Sequence, residues 1–124
     1  MKKVIYTKSA PEPVGPYSQA IQTGNHLYCS GQIAINPENN QFIDGTIEEQ
    51  SLQVMKNVEA LLKSAGFGFE DVVKTTCFLD DMKNFGIFNE IYAKYFISNP
   101  ARSCVEAKLP KNAKVEVEVI AYKE

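Results

Sequence analysis

The chain has 124 residues, 44% of them hydrophobic and 23% charged, an ordinary globular composition with enough length for one core and too little for two. Its net charge of −2 gives no general attraction to nucleic acid or an anionic membrane, and its 1 histidine supports neither a His-rich metal site nor a Cys–His nucleophile pair. Cys29, Cys77 and Cys104 are odd in number, widely spaced and free of any CxxC, so they read as free thiols in a reducing compartment.

Met1-Lys2-Lys3 is followed by Pro11, Pro13 and Pro16 rather than by an apolar signal region, and no run approaches a membrane span. The expectation is one cytoplasmic domain over residues 1–124.

Val4 to Thr7 reads as a short strand. The breaker-rich stretch Ser9 to Tyr17 reads as an ordered loop or lid, and Tyr17 at its end either packs on a neighbour or leans over a ligand. Ser18–Thr23, Gly24-Asn25 and His26–Gly31 form a predicted β-hairpin. Gly31 at its end either makes a bulge or lets a backbone or ligand come close, with the Ser30 hydroxyl beside it. Asn36 to Asn40 is a turn-rich excursion, ended by Asp44-Gly45.

Thr46-Ile47-Glu48-Glu49 is a capping box. The helix it opens runs to about Ala65 and stops at Gly66, with Met55, Val58, Leu61, Leu62 and Ala65 on one apolar face. Asp71 to Leu79 is the next strand, and Asp80-Asp81 lead into a second helix ending near Phe96. Its apolar stripe is Phe85, Phe88, Ile91, Tyr92, Tyr95 and Phe96, with the polar Asn89 between them, either at a site or at the surface.

Asn99-Pro100 breaks that helix, and Ala101 to Glu106 is a strand that puts Arg102, Cys104 and Glu106 on one face. Arg102 is the only arginine of the chain. Its planar guanidinium can donate two parallel hydrogen bonds to a carboxylate or phosphate; a surface or interface salt bridge is the competing role. After the turn at Leu109 to Ala113, the last strand alternates Val115, Val117 and Val119 with Glu116, Glu118 and Ile120. Lys108, Lys111 and Lys114 read as a solvated turn rather than an RNA site.

The order β-β-β-α-β-α-β-β implies an α+β fold with two helices on one face of a mixed sheet. With the valines toward the helices, Arg102, Cys104, Glu106, Glu116 and Glu118 are expected together on the other face. Two helices cannot cover both faces, so a second subunit is expected there. An Arg and a Glu brought together on it form either a buried salt bridge or the two ends of a small-molecule pocket.

The segments Gly15-Pro16-Tyr17-Ser18-Gln19-Ala20, Cys29-Ser30-Gly31-Gln32-Ile33, Val73-Lys74-Thr75-Thr76-Cys77-Phe78-Leu79, Pro100-Ala101-Arg102-Ser103-Cys104-Val105-Glu106 and Val115-Glu116-Val117-Glu118 resemble, in order and spacing, the RidA/YjgF/UK114 family. The resemblance spans essentially the whole chain. It implies a chorismate-mutase-like, mixed six-stranded fold and a homotrimer with clefts between subunits. It also implies deamination of the reactive enamines 2-aminoacrylate and 2-aminocrotonate, through their imines, to 2-keto acids and ammonia, without cofactor or metal. Carried over by position, Arg102 would bind the substrate carboxylate and Glu116 would activate water. Cys104 would line the pocket through its backbone, Tyr17 would be the lid, and Ser30, Gly31 and Asn89 would complete the wall. Glu118 is a weaker candidate for the acidic role. Family members usually carry one more residue between Cys-Val-Glu and Leu-Pro than this chain does, which is expected to alter the strand end. A 2-keto acid or amino acid-binding regulator is the alternative of a different class. A translation-inhibiting endoribonuclease is a third, opposed by the acidic charge.

Overall fold

The computed structural model describes residues 1–124. In chain order it contains β1 (Lys2–Ile5), β2 (Ala20–Thr23), β3 (His26–Cys29), β4 (Ile35–Asn36), β5 (Gln41–Phe42), α1 (Ile47–Ser64), β6 (Val72–Leu79), α2 (Phe85–Tyr95), β7 (Ala101–Glu106) and β8 (Val115–Tyr122). Six strands make one mixed sheet in the order β1-β2-β3-β8-β6-β7, while β4 and β5 form a separate small hairpin. The long sheet is antiparallel except where β7 pairs parallel with β6, the two strands being joined through α2. Two helices and a mixed six-stranded sheet give the expected α+β class.

Local chemistry explains the boundaries. The Thr46 hydroxyl accepts from the Glu49 amide at 3.2 Å and Glu49 Oε1 accepts from the Thr46 amide at 2.8 Å, so α1 opens on the reciprocal cap read in sequence. It closes with Gly66 at φ +82°, whose amide donates to Lys63 O at 3.0 Å, while the Phe67 amide donates to Leu62 O at 2.9 Å. Those paired bonds satisfy carbonyls that the last helical turn leaves free. The first strand is shifted from Val4–Thr7 to Lys2–Ile5. The Thr7 amide leaves the ladder because it donates to Gln19 Oε1 at 2.8 Å. The excursion at 36–40 is a true hairpin turn, closed by the Asn40 amide on Asn36 O at 2.7 Å with Asn40 at φ 56°. Asn57 of α1 fastens the hairpin by donating to Ile33 O and Ile35 O at 3.2 and 3.0 Å.

The core lies between the helices and one sheet face. Val54, Met55, Val58, Leu61 and Leu62 of α1 and Phe88 of α2 are fully buried, as are Val115, Val117, Cys77 and Leu79 of the sheet. Complete burial of each such aliphatic side chain contributes about 1.5–3 kcal/mol.

Register corrects one expectation. Thr75, Cys77 and Leu79 of β6 lie opposite Val119, Val117 and Val115 of β8, and also beside Arg102, Cys104 and Glu106 of β7. Neighbours paired across a sheet share a face. Arg102, Cys104 and Glu106 therefore sit on the helix side with the valines, not with Glu116 and Glu118. The uncovered face carries Glu116, Glu118 and Ile120 of β8, with Lys74, Thr76 and Phe78 beside them. It also leaves Val4, Tyr28 and Val105 exposed.

Candidate functional site

The residues expected to form one site fall into two groups. The first is built on β7 and α2. Phe85, Asn89 and Tyr92 stand at helical spacings of four and three, so one side of α2 presents all three to the edge strand β7. Arg102 Nη1 donates to Asn89 Oδ1 at 2.7 Å, and its guanidinium carbon lies 4.8 Å from the Tyr92 ring centroid and 5.4 Å from that of Phe85. No carboxylate of the chain pairs with it; the one ion pair within 4.0 Å joins Lys83 to Asp81. The salt-bridge role is thus unfilled within the chain, and the remaining guanidinium N–H groups are free for another acceptor. Cys104 follows on the same face, half-buried. Burial pushes its thiol pKa up while Arg102 pulls the other way, which leaves it a poor nucleophile.

The second group lines a cleft of about 470 Å³ that includes Tyr17, Ser30, Gly31 and Glu116. Gln19, 2% exposed, ties the proline-rich loop down: its Nε2 donates to Thr7 O at 3.0 Å and Pro11 O at 2.9 Å. The loop then delivers Tyr17, half exposed, whose hydroxyl oxygen accepts from the Val14 amide at 3.3 Å. Ser30 Oγ donates to Ser18 O at 2.6 Å, so its proton is committed and it has only acceptor capacity left. Gln32 continues β3 toward β8 through reciprocal backbone bonds with Val117, 2.9 and 3.1 Å long. That bridge brings Gly31 against Glu116. A Cβ on Gly31 would overlap Glu116 Oε2, so what comes close to the bare α-carbon is a carboxylate side chain rather than the backbone or ligand expected from sequence. The glycine is required for space and not for its torsion angles.

Glu116 is half-buried, and its pKa is raised, first by burial and second by the charge of Glu118 two residues along the same face. Glu12 and Lys111 also line this cleft. Three glutamates against one lysine make it acidic, whereas the first group is cationic.

Sequence reading missed Tyr92 as a site residue, taking it only as core, although its spacing from Asn89 carried the signal. It also missed Gln32, which adjoins Ser30-Gly31, and Lys111. The shortened connection after Glu106 does not disrupt β7: the Ala107 amide continues the ladder to Leu79 O at 2.9 Å. The turn is absorbed by Lys111 and Asn112 at φ 56° and 54°. No helix is long and apolar enough to cross a membrane.

A sheet with helices on one face, an isolated arginine on its edge and an acidic cleft on the other face make this a small α+β protein with two separate polar groups. The family model described as Endoribonuclease L-PSP matches residues 7–123, and the chain belongs to that family, the RidA/YjgF/UK114 family its motifs resemble. It is 50% identical over 126 residues to a RutC family protein of Pyrococcus horikoshii, covering 100% of both chains. It is 46% identical over 123 residues to the 2-iminobutanoate/2-iminopropanoate deaminase of Mus musculus, covering 98% of this chain and 91% of the mouse protein. Among solved structures, E. coli TdcF with bound serine is similar at a TM-score of 0.93 and 35% identity, over 98% of this chain and 99% of TdcF.

Proposed function

We propose that the protein is a 2-iminobutanoate/2-iminopropanoate deaminase whose site is completed between two copies of the chain in a homotrimer. The observation that carries the reading is the division of the site: a cationic half on the β7 edge and an acidic half on the uncovered sheet face. The imine of a 2-keto acid has a carboxylate at one end and a basic nitrogen at the other. It fits a cleft with unlike walls. The exposed apolar side chains on the uncovered face, Tyr28 and Val105 among them, favour a second copy as its cover. The mouse relative's activity and the serine bound to TdcF support a small amino acid-like carboxylate as the ligand class.

In this reading an enamine first tautomerises to the imine by gaining a proton at C3 and losing one from nitrogen. Arg102 holds the substrate carboxylate by the N–H groups not given to Asn89, which fixes C2 relative to a water on Glu116. Glu116 accepts a proton as the water oxygen attacks C2, the C=N π electrons move to nitrogen, and Glu116 returns the proton there to give the neutral carbinolamine. In its collapse Glu116 takes the hydroxyl proton as the C=O bond forms and delivers it to the amino nitrogen, so the C–N bond breaks with ammonia as the leaving group. The products are the 2-keto acid and ammonia, with water as the only co-reactant. A positioned acid–base group of this kind contributes about 10²–10⁴-fold. Burial and the neighbouring Glu118 raise the pKa of Glu116, which makes it a stronger base than an ordinary carboxylate.

A coupled assay tests this. A dehydratase releases the imine in the presence of semicarbazide, and wild-type protein lowers the semicarbazone yield by converting the imine first. Arg102→Ala is expected to lose that effect, and Arg102→Lys also, because an ammonium makes no fork. Full activity in Arg102→Ala overturns the assignment.

The serine bound to TdcF favours one second reading, a regulator that binds an amino acid or 2-keto acid in the same cleft. Binding of 2-oxobutanoate without turnover of freshly released imine selects it. The endoribonuclease description of the family finds less support here, because phosphodiester oxygens would meet Glu12, Glu116 and Glu118.

A further inference from the structure

We propose that Tyr92 is a positioning residue for the Arg102 guanidinium, holding it by the face of its ring. The inference deepens the carboxylate-anchoring role of Arg102 proposed above and rests on that role for its effect on ligand binding.

Arg102 sits on an edge strand and has no carboxylate partner to orient it. Its side chain has many rotamers, and a bidentate grip on a carboxylate needs one plane. Asn89 supplies one hydrogen bond, which fixes a point and not a plane. The guanidinium carbon lies over the Tyr92 ring, 4.8 Å from its centroid, and over Phe85 at 5.4 Å, so two ring faces bound the space in which the fork can turn. Tyr92 is itself immobilised. It is 8% exposed, and its hydroxyl shares a 2.7 Å hydrogen bond with Thr75 Oγ1. Its ring stacks on Phe96 at 4.4 Å and meets Phe88 at 5.7 Å. Thr75 is fully buried and is the register partner of Arg102. Packing on Phe96 and Phe88 holds the ring in place without the hydroxyl, which adds a tie to the register partner of Arg102. An aromatic contact leaves the N–H groups free, which a salt bridge would not.

The chain has one arginine, so the Arg102 Nε–Hε NMR signal is unique and reports ring contact directly. In free protein that signal is expected to be ring-shifted in wild type and in Tyr92→Phe, and to move toward the position of a free arginine in Tyr92→Leu. Titration with 2-oxobutanoate as a stable carboxylate probe is expected to give a Kd about tenfold weaker in Tyr92→Leu and near wild type in Tyr92→Phe, a factor within the range of a partly desolvated cation–π contact. In the imine assay the same loss should appear in KM, with kcat little changed. Replacement of Tyr92 by pentafluorophenylalanine keeps the shape and reverses the ring's charge distribution. It should weaken binding as Leu does while the fold holds, so the test survives if Tyr92→Leu fails to fold. An unmoved Arg102 signal and unchanged Kd in the Leu and pentafluoro variants overturn the proposal, as does a Tyr92→Phe protein that binds as poorly as the Leu variant. If wild type shows the ring shift but binds no carboxylate, the anchoring role fails while the ring contact stands. That outcome overturns the effect proposed for Tyr92 on binding.

Discussion

Arg102 and Glu116 lie on opposite faces of one sheet, because Arg102 shares the face of Thr75 and Val119, whereas Glu116 shares that of Phe78. One copy of the chain therefore presents the cation on one side and the acid on the other, and within that copy the Glu116 pKa is raised by burial and by Glu118.

Subunit exchange follows from that geometry. Arg102→Ala and Glu116→Gln proteins should each be inactive alone. After partial denaturation, mixing in equal amounts and refolding, a cyclic assembly formed at random has an intact Arg and an intact Glu in about one quarter of its clefts. Recovery of about a quarter of wild-type activity is expected in the semicarbazone assay. A mixture that stays inactive although the subunits exchange by mass spectrometry would place both groups in one copy and sink the divided site.

Gly31 matters through its missing side chain. In Gly31→Ala the new methyl group takes the space of the Glu116 carboxylate, which is the far end of a flexible side chain and swings aside. Activity should fall by up to about 10²-fold, the scale of a lost acid–base group. Thermal unfolding should move little, since the backbone is not strained. A large loss of Tm with retained kcat would mean the glycine serves the fold instead.

The pH dependence of stability has a definite sign. The pKa of Glu116 is raised in the folded state, so folding favours its protonated form; that stabilisation is present at low pH and is lost as pH rises through the folded pKa. Glu116→Gln should consequently be more stable than wild type at pH 7. The difference should vanish below about pH 4, where the carboxyl is protonated in both folded and unfolded wild type. Equal denaturation midpoints at pH 7 would contradict the buried-charge cost.

Activity should carry the same signature. With Glu116 as base, kcat/KM falls on the acid side at a higher pH than an unshifted glutamate would give. Glu118→Gln removes the second cause of the shift and should move that limb to lower pH. Glu12 and Lys111, the other charged groups lining the cleft, provide comparison variants. A limb that stays in place in Glu118→Gln rules out the coupling.

The α1 cap is a stability element separate from the site. Thr46→Ala removes the acceptor of the Glu49 amide and should cost about 1 kcal/mol, or about 4 °C in Tm for a domain of this size, with kcat unchanged. A loss within error would show the cap to be redundant.

Much of this protein is legible in its order of residues. Periodicity, capping and breakers are local, so the Thr46 box, the Gly66 stop, the α2 stripe and the Val115–Val119 alternation determine helices and strands at nearly their true positions. The motifs likewise single out Arg102, Glu116, Tyr17, Ser30, Gly31, Cys104 and Asn89 as candidate site residues. The sequence did not determine which of them face one another. Alternation assigns residues to two faces within a strand; it says nothing of how those faces match across strands. Only the parallel pairing of β7 with β6, set by α2 crossing between them, put Arg102 on the helix side. The tertiary structure alone therefore separated Arg102 from Glu116, gave Arg102 to Asn89 and Tyr92, and set Glu116 against the bare backbone of Gly31. The Gly31–Glu116 contact joins residues far apart in the chain, and those of Arg102 cross from a strand to the helix before it, so their geometry depends on register and packing rather than on alternation within one element.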